Sequence, residues 1–216
     1  MTPTKDVSTF FHGYATDFNS IYGTKNTLLN RCVNRWFRRS MQRRFEKTLQ
    51  GCSPVQGSSV LDIGCGPGHF SVALARMGAE RVVGLDFAQG MLDLARNNAL
   101  QHGVSEKCSW LLGDFMGHSF DQQFDFCIVM GFMDYVEYPL PVLRKVAALT
   151  KKRAFFSFPL DGGFLAWQRK LRYRNRCPLF MYTEDKIRKL FSDASIESVT
   201  LEPISRDMFV TMRCDG

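Results

Sequence analysis

Between residues 28 and 49 the apolar side chains Leu29, Val33, Trp36, Phe37, Met41, Phe45 and Leu49 recur three or four positions apart. Arg31, Arg35, Arg38, Arg39, Arg43, Arg44 and Lys47 fall largely between them. That period predicts an amphipathic helix ahead of the main body of the chain. After "GCSPVQGSS" the pattern changes to short apolar runs separated by glycine and polar clusters. "SSVLDI" reads as a strand, "FSVALARMG" as a helix stopped by Gly78, "RVVGLDF" as a strand and "AQGMLDLARNNALQHG" as a helix ended by Gly103. "KCSWLLGDF" and "FDFCIVMGF" are further strands, Pro139 to Leu149 a helix, and "RAFFSFPL" another strand. "TEDKIRKLFSDA" is a helix with Thr183 as N-cap, and "ESVTLEPISRDMFVTMRC" is a closing pair of strands joined as a hairpin.

Strands alternating with helices predict an α/β fold. The expected form is Rossmann-like and doubly wound: a mostly parallel seven-stranded sheet, helices on both faces and a C-terminal antiparallel hairpin. Ligands are expected at the carboxyl ends of the strands. At 216 residues, 45% of them hydrophobic, the chain suits one well-buried domain with small additions. Residues 53–216 form the expected main domain. Residues 1–52 are the expected helical, substrate-covering segment, and about 161–181 a basic lid insertion.

No run of eighteen apolar residues occurs, and the start "MTPTKDVSTFFHG" lacks the apolar core of a signal peptide, so a soluble, cytoplasmic protein is expected. Seven cysteines are scattered without Cys-x-x-Cys spacing or nearby histidines, which points to reduced thiols and to no metal. The formal net charge of +7 is concentrated in the first helix and in Arg169, Lys170, Arg172, Arg174 and Arg176. Charge of this kind attracts nucleic acid, an anionic membrane surface or an acidic small molecule, and does not choose among them.

The chemistry enters with "VLDIGCGPGHF", residues 60–70, where Gly64, Gly66 and Gly68 occupy every second position after a buried strand. A dinucleotide fingerprint needs its third glycine at position 69, which is His69, and the Gly-Lys-Ser/Thr ending of a P-loop is absent. Asp62, two residues before the first glycine, would repel a pyrophosphate. It would favour the ammonium and sulfonium of S-adenosylmethionine, a nucleotide cofactor without phosphate. Glycines in the loop let the backbone approach the amino-acid tail. Asp86 ends the next strand, where an acid can accept both ribose hydroxyl protons, and Phe87 can flank the adenine.

With these residues in this order the sequence resembles the class I S-adenosylmethionine-dependent methyltransferases, from about Ser58 to the C-terminus. "LDIGCGPG" is similar to that family's first motif, which implies cofactor contacts from Asp62, Gly64, Cys65, Gly66 and Gly68. "VVGLDFAQGMLDLAR" implies Asp86 on the ribose, with Phe87 and Met91 near the adenine. "LLGDF" implies Asp114 for the exocyclic amine and the Phe115 backbone for the ring. "FDFCIVMGFMDYV" resembles the fourth motif, which implies Met130 and Gly131 facing the methionine part. Taken singly, each has a structural reading: a strand-ending Asp also caps helices, Phe87 can be core, and "GD" is a common turn.

The acceptor is less legible. Tyr135 stands where many small-molecule members of the family carry a histidine, and Asp134 precedes it. Tyr135 orients the acceptor, or Asp134 accepts a proton, or the pair is aromatic packing and a helix cap. His69 sits in the cofactor loop, whereas His12, His102 and His118 read as surface residues. Tyr14, Phe18 and Tyr22 either close over the acceptor or pack the first helix on the domain. Arg172 and its neighbours either pair an acidic acceptor or form a solvated lid, and "GGFLAWQRKL" also suits peripheral contact with an anionic membrane. The N-terminal segment and the insertion resemble those of the magnesium-protoporphyrin O-methyltransferases, which implies a carboxylate acceptor on a planar ring.

The expected activity is methyl transfer by in-line displacement to an oxygen, or a nitrogen, of a small, acidic or lipophilic molecule. Two other classes compete. An RNA methyltransferase would use the positive charge, but there is no Asn/Asp-Pro-Pro-Tyr/Phe motif, no Pro-Cys pair and no separate recognition domain. A non-catalytic S-adenosylmethionine-binding regulator would keep the pocket without turnover.

Overall fold

The computed structural model describes residues 28–162 and 178–214, with side chains from residue 40 onward. A helix, α1 (Leu28–Gly51), precedes β1 (Ser59–Ile63), α2 (His69–Arg76), β2 (Arg81–Asp86), α3 (Gln89–Gln101) and β3 (Cys108–Leu112). There follow β4 (Phe124–Val129), α4 (Pro139–Leu149), β5 (Thr150–Pro159), α5 (Glu184–Asp193), β6 (Val199–Ile204) and β7 (Asp207–Arg213).

The strands form one seven-stranded sheet in the order β3-β2-β1-β4-β5-β7-β6. β1 to β5 pair in parallel, and β7 inserts antiparallel between β5 and β6. The order reverses at β1 and β4, so a crevice opens beyond their carboxyl ends. The expected doubly wound sheet with its antiparallel hairpin is therefore the observed fold.

Each face of the sheet carries its own core. Val60, Val82, Ile128 and Phe155 face Val72, Leu74 and Ala75 of α2 and the end of α1 at Cys52. Leu61, Val83, Cys127 and Phe156 face Val142, Leu143 and Val146 of α4 and Ile187 and Phe191 of α5. Neighbouring residues of one strand thus point to opposite cores, both apolar, which is why the strands read as continuous apolar runs. On the α5 side Phe156, Phe158, Tyr182 and Phe191 meet ring against ring, with centroids 5.1 to 6.1 Å apart.

Two elements differ from expectation. Among the described side chains of α1, Ser40 and Thr48 are buried, whereas Met41, Phe45 and Leu49 are half-buried. The end of the helix approaches the sheet closely: a Cβ on Gly51 would meet the Phe155 ring at 2.4 Å. The apolar stripe lies beside that contact, with Phe45 against Phe70 at a centroid distance of 5.2 Å. β5 begins at Thr150, three residues before the apolar run, because the chain passes directly from α4 into the sheet through a register shift opposite Phe124–Phe126.

α1 is fastened at its C-terminal half. Arg44 pairs with the buried Asp207 at 3.4 Å, Lys47 with Glu202 at 2.5 Å, and Arg153 donates to the Gly51 carbonyl at 2.8 Å. Arg44 and Lys47, which lie between the apolar positions, are therefore partnered rather than left for solvent.

Candidate cofactor and active site

The site grows from the carboxyl ends of β1, β2, β3 and β4. After Ile63 the chain turns through the glycine loop, where the Gly64 and Cys65 amides both donate to the Leu85 carbonyl, at 2.8 and 3.0 Å. The loop is thereby tied to the end of β2. Gly66 adopts φ +53°, and a Cβ there would meet no described atom within 4 Å. Its backbone faces open space, which a side chain would fill. Gly68 (φ +75°) has the opposite constraint, since a Cβ would lie 2.7 Å from the Trp110 ring.

Asp86 joins the strands to the loop. One carboxyl oxygen accepts from the Gly66 amide at 2.9 Å and the other from the Ala88 amide at 2.9 Å. Burial pushes its pKa up, and these amide hydrogen bonds act against that shift. The Phe87 amide also donates to this carboxylate, so of its roughly four acceptor directions about one remains for a ligand hydroxyl. The Gly113 amide donates to the Asp86 carbonyl at 3.0 Å, which brings the loop after β3 to the same place.

Asp62 is buried, and its carboxylate accepts from the Ser71 hydroxyl of α2 at 2.6 Å. Burial raises its pKa to about 7, with Ser71 acting in the other direction and the nearby Asp86 adding to the rise. An arriving cation would stabilise the charged form of both acids. Cys65 is buried with its thiol turned inward beside Gly84, so its reach toward a ligand is through its backbone. Met91 is buried on α3, Phe87 is half-buried after β2, and Met130 is half-buried after β4. Asp114 is exposed and Phe115 buried in the loop after β3.

Gly131 faces open space, and its amide donates to the Ser157 hydroxyl of β5 at 2.8 Å. Beyond it, Met133–Tyr135 forms a single 3-10 turn. Asp134 is buried and Tyr135 half-buried. Tyr182 pins this turn: its hydroxyl lies 3.3 Å from both the Met133 and the Val136 carbonyls, and the Phe180 amide donates to the Asp134 carbonyl at 2.8 Å.

The structure thus brings Asp62, Gly64, Cys65, Gly66, Gly68, Asp86, Asp114, Phe115, Met130, Gly131, Asp134 and Tyr135 to the same end of the sheet, on consecutive strand ends and the loops after them. His69 opens α2 and is exposed, as is His102. Tyr14, Phe18, Tyr22, His12 and Arg172 lie outside the described residues, as does most of the 161–181 insertion. A separate cavity of about 430 Å³, lined by Arg81, Ser109, Phe120 and neighbours, shares no residue with the glycine loop.

The comparisons fit this geometry. Residues 60–153, which contain the glycine loop, Asp86, Asp114 and the 133–135 turn, match the family described as methyltransferase domain. Over those residues the chain is similar to a methyltransferase domain. The ubiquinone biosynthesis O-methyltransferase of Ruegeria sp. (strain TM1040) is 35% identical over 124 residues, covering 57% of this chain and 49% of that protein. A biotin biosynthesis bifunctional protein of Teredinibacter turnerae is 33% identical over 113 residues, 49% of this chain and 20% of its own. The chain therefore spans about half the length of its ubiquinone-pathway relatives. The crystal structure of magnesium protoporphyrin IX methyltransferase from Synechocystis PCC 6803 with bound SAH has a TM-score of 0.77. It is 20% identical and covers 97% of this chain and 98% of that one. At that identity the likeness establishes the fold.

A domain of that family would need a place for S-adenosylmethionine, and the residues present fit it: an open glycine turn, an acid at the end of β2 and a second acid toward the loop. Sequence reasoning missed Ser71, Ser157, Tyr182 and Lys145, which hold those groups in place. Ser157 gave a signal, a lone hydroxyl inside "RAFFSFPL". Tyr182 and Lys145 gave none, because their partners are backbone carbonyls far away along the chain.

Proposed function

We propose that this protein is an S-adenosylmethionine-dependent methyltransferase acting on an oxygen, or a nitrogen, of a small acidic or lipophilic molecule. The observation that carries the reading is the hydrogen bond from the Gly66 amide to Asp86. It closes one side of the open space at Gly66, where a Cβ would meet no described atom.

When bound, S-adenosylmethionine supplies a methyl group already activated on a sulfonium. The chain's own task is alignment and exclusion of water. Asp86 holds the ribose through its remaining acceptor direction, and Asp114 with the Phe115 backbone reads the adenine. Gly66 admits the amino-acid tail, and Asp62 lends it negative charge. Phe87 and Met91 flank the base, while Met130 and Gly131 line the methionine side. On the acceptor side Tyr135 orients the substrate, and Asp134 accepts its proton where the acceptor is a hydroxyl. An acceptor that arrives as a carboxylate needs no base. Residues 1–52, with Tyr14, Phe18 and Tyr22, and the 161–181 insertion, with Arg172, cover the acceptor and favour an acidic one. Oxygen is favoured by the name of the ubiquinone-pathway relative, an O-methyltransferase.

The test is to incubate the protein with methyl-labelled S-adenosylmethionine and a cell extract, then separate metabolites, lipids, RNA and protein. Label in a small or lipid-soluble product is expected. Label only in RNA or protein contradicts the acceptor class, and no transfer into any fraction contradicts the activity.

A further inference from the structure

The connection from β3 to β4 contains no helix, and Gly113 and Gly117 interrupt it. Left to itself, such a segment has a high conformational entropy. In the fold it makes a single turn, in which the His118 amide donates to the Asp114 carbonyl at 3.1 Å. The next carbonyls, like those at a helix C-terminus, then need donors. They find one group: the Lys145 ammonium of α4 donates to the carbonyls of Phe115 at 2.6 Å, Met116 at 3.2 Å and His118 at 2.5 Å. The ammonium has three donors and three carbonyls meet it. It also lies 4.8 Å from the Phe115 ring centroid and 5.8 Å from that of Phe120. Partial burial lowers the pKa of this ammonium, and the nearby Asp114 acts against that shift.

We propose that Lys145 is a positioning residue for cofactor recognition, fixing the turn that carries Asp114 and the Phe115 backbone by gathering its carbonyls onto one cation. The inference rests on the reading of that turn as the adenine site. Lys145 touches no ligand itself. Without its charge three carbonyls would converge with nothing between them, and the turn would open. α4 is held independently by Val142, Leu143 and Val146, so the helix survives the change.

The test is calorimetry with S-adenosylhomocysteine and S-inosylhomocysteine, whose base carries a carbonyl where adenine has its amine. It uses the full chain and the Lys145→Met and Lys145→Arg proteins, with melting curves as a check of folding. Wild type is expected to prefer the adenine compound by about tenfold or more, because the analogue cannot donate to Asp114. In each folded variant that preference is expected to fall to about threefold or less, most strongly for methionine, since a planar guanidinium cannot meet three carbonyls at one point. A folded variant that keeps the wild-type preference overturns the inference, as does an equal weakening of both compounds with the preference intact. Wild type that binds without preference overturns the assignment of Asp114 and this inference with it. Wild type that binds neither overturns the function on which both rest.

Discussion

Asp62 sits beneath the glycine loop with its carboxyl removed from water, and only Ser71 donates to it among the hydrogen bonds described. Its pKa rises to about 7 in the fold from 3.8, so the folded chain binds a proton between those values that the unfolded chain does not. Stability from this group is full below about pH 4 and is lost as pH rises toward 7. A displacement of that size is worth about 4 kcal/mol in the cofactor-free protein. Asp62→Asn keeps a partner for Ser71 and cannot ionise. Urea unfolding of the two proteins is therefore expected to show the variant gaining on wild type by a few kcal/mol between about pH 4 and pH 7. A difference that is flat with pH would mean that the carboxyl titrates normally. The same substitution is expected to weaken S-adenosylmethionine binding at pH 8, since a cation pairs with the charge and not with the amide.

The elements that carry the site were legible where a residue type has few alternative uses. The period of each helix, the buried strands and the closing hairpin followed from apolar spacing, and Gly64, Gly66 and Gly68 marked the turn after β1. Burial along the described part of α1 departs from its apolar spacing, with Ser40 and Thr48 buried and the helix end close to the sheet at Gly51. Arg44 shows the consequence: it lies between apolar positions, as a solvent-facing residue would, yet it pairs with Asp207, whose side chain is 3% exposed. Arg44→Met keeps much of the volume and removes the charge, and is expected to cost about 3 kcal/mol in urea unfolding. A loss below about 0.5 kcal/mol would place that pair with exposed ion pairs. The 133–135 turn is likewise held by a distant residue. Tyr182→Phe keeps the buried ring and removes the hydroxyl from the Met133 and Val136 carbonyls, at an expected cost of about 1 kcal/mol. If that turn orients the acceptor, kcat falls while S-adenosylhomocysteine affinity stays within about twofold. Equal losses in both would assign Tyr182 to general stability.

Across the whole molecule, the strand order places the first four strand ends side by side, so residues scattered from Asp62 to Tyr135 gather at one end of the sheet. That convergence could be expected from alternating strands and helices, but the partners that hold it could not. Lys145, Ser157 and Tyr182 act across sheet and helix through backbone atoms, which leave no residue pattern. The charge argument at Asp62 and the acid at Asp86 give the account its central claim, recognition of a cationic, ribose-bearing cofactor. Calorimetric titration of S-adenosylmethionine into the full chain and into Asp86→Ala tests it most directly. One-to-one binding by wild type, weakened at least about tenfold in a folded Asp86→Ala protein, is the predicted result. No binding by the unmodified protein, or binding that is indifferent to the loss of Asp86, would contradict it.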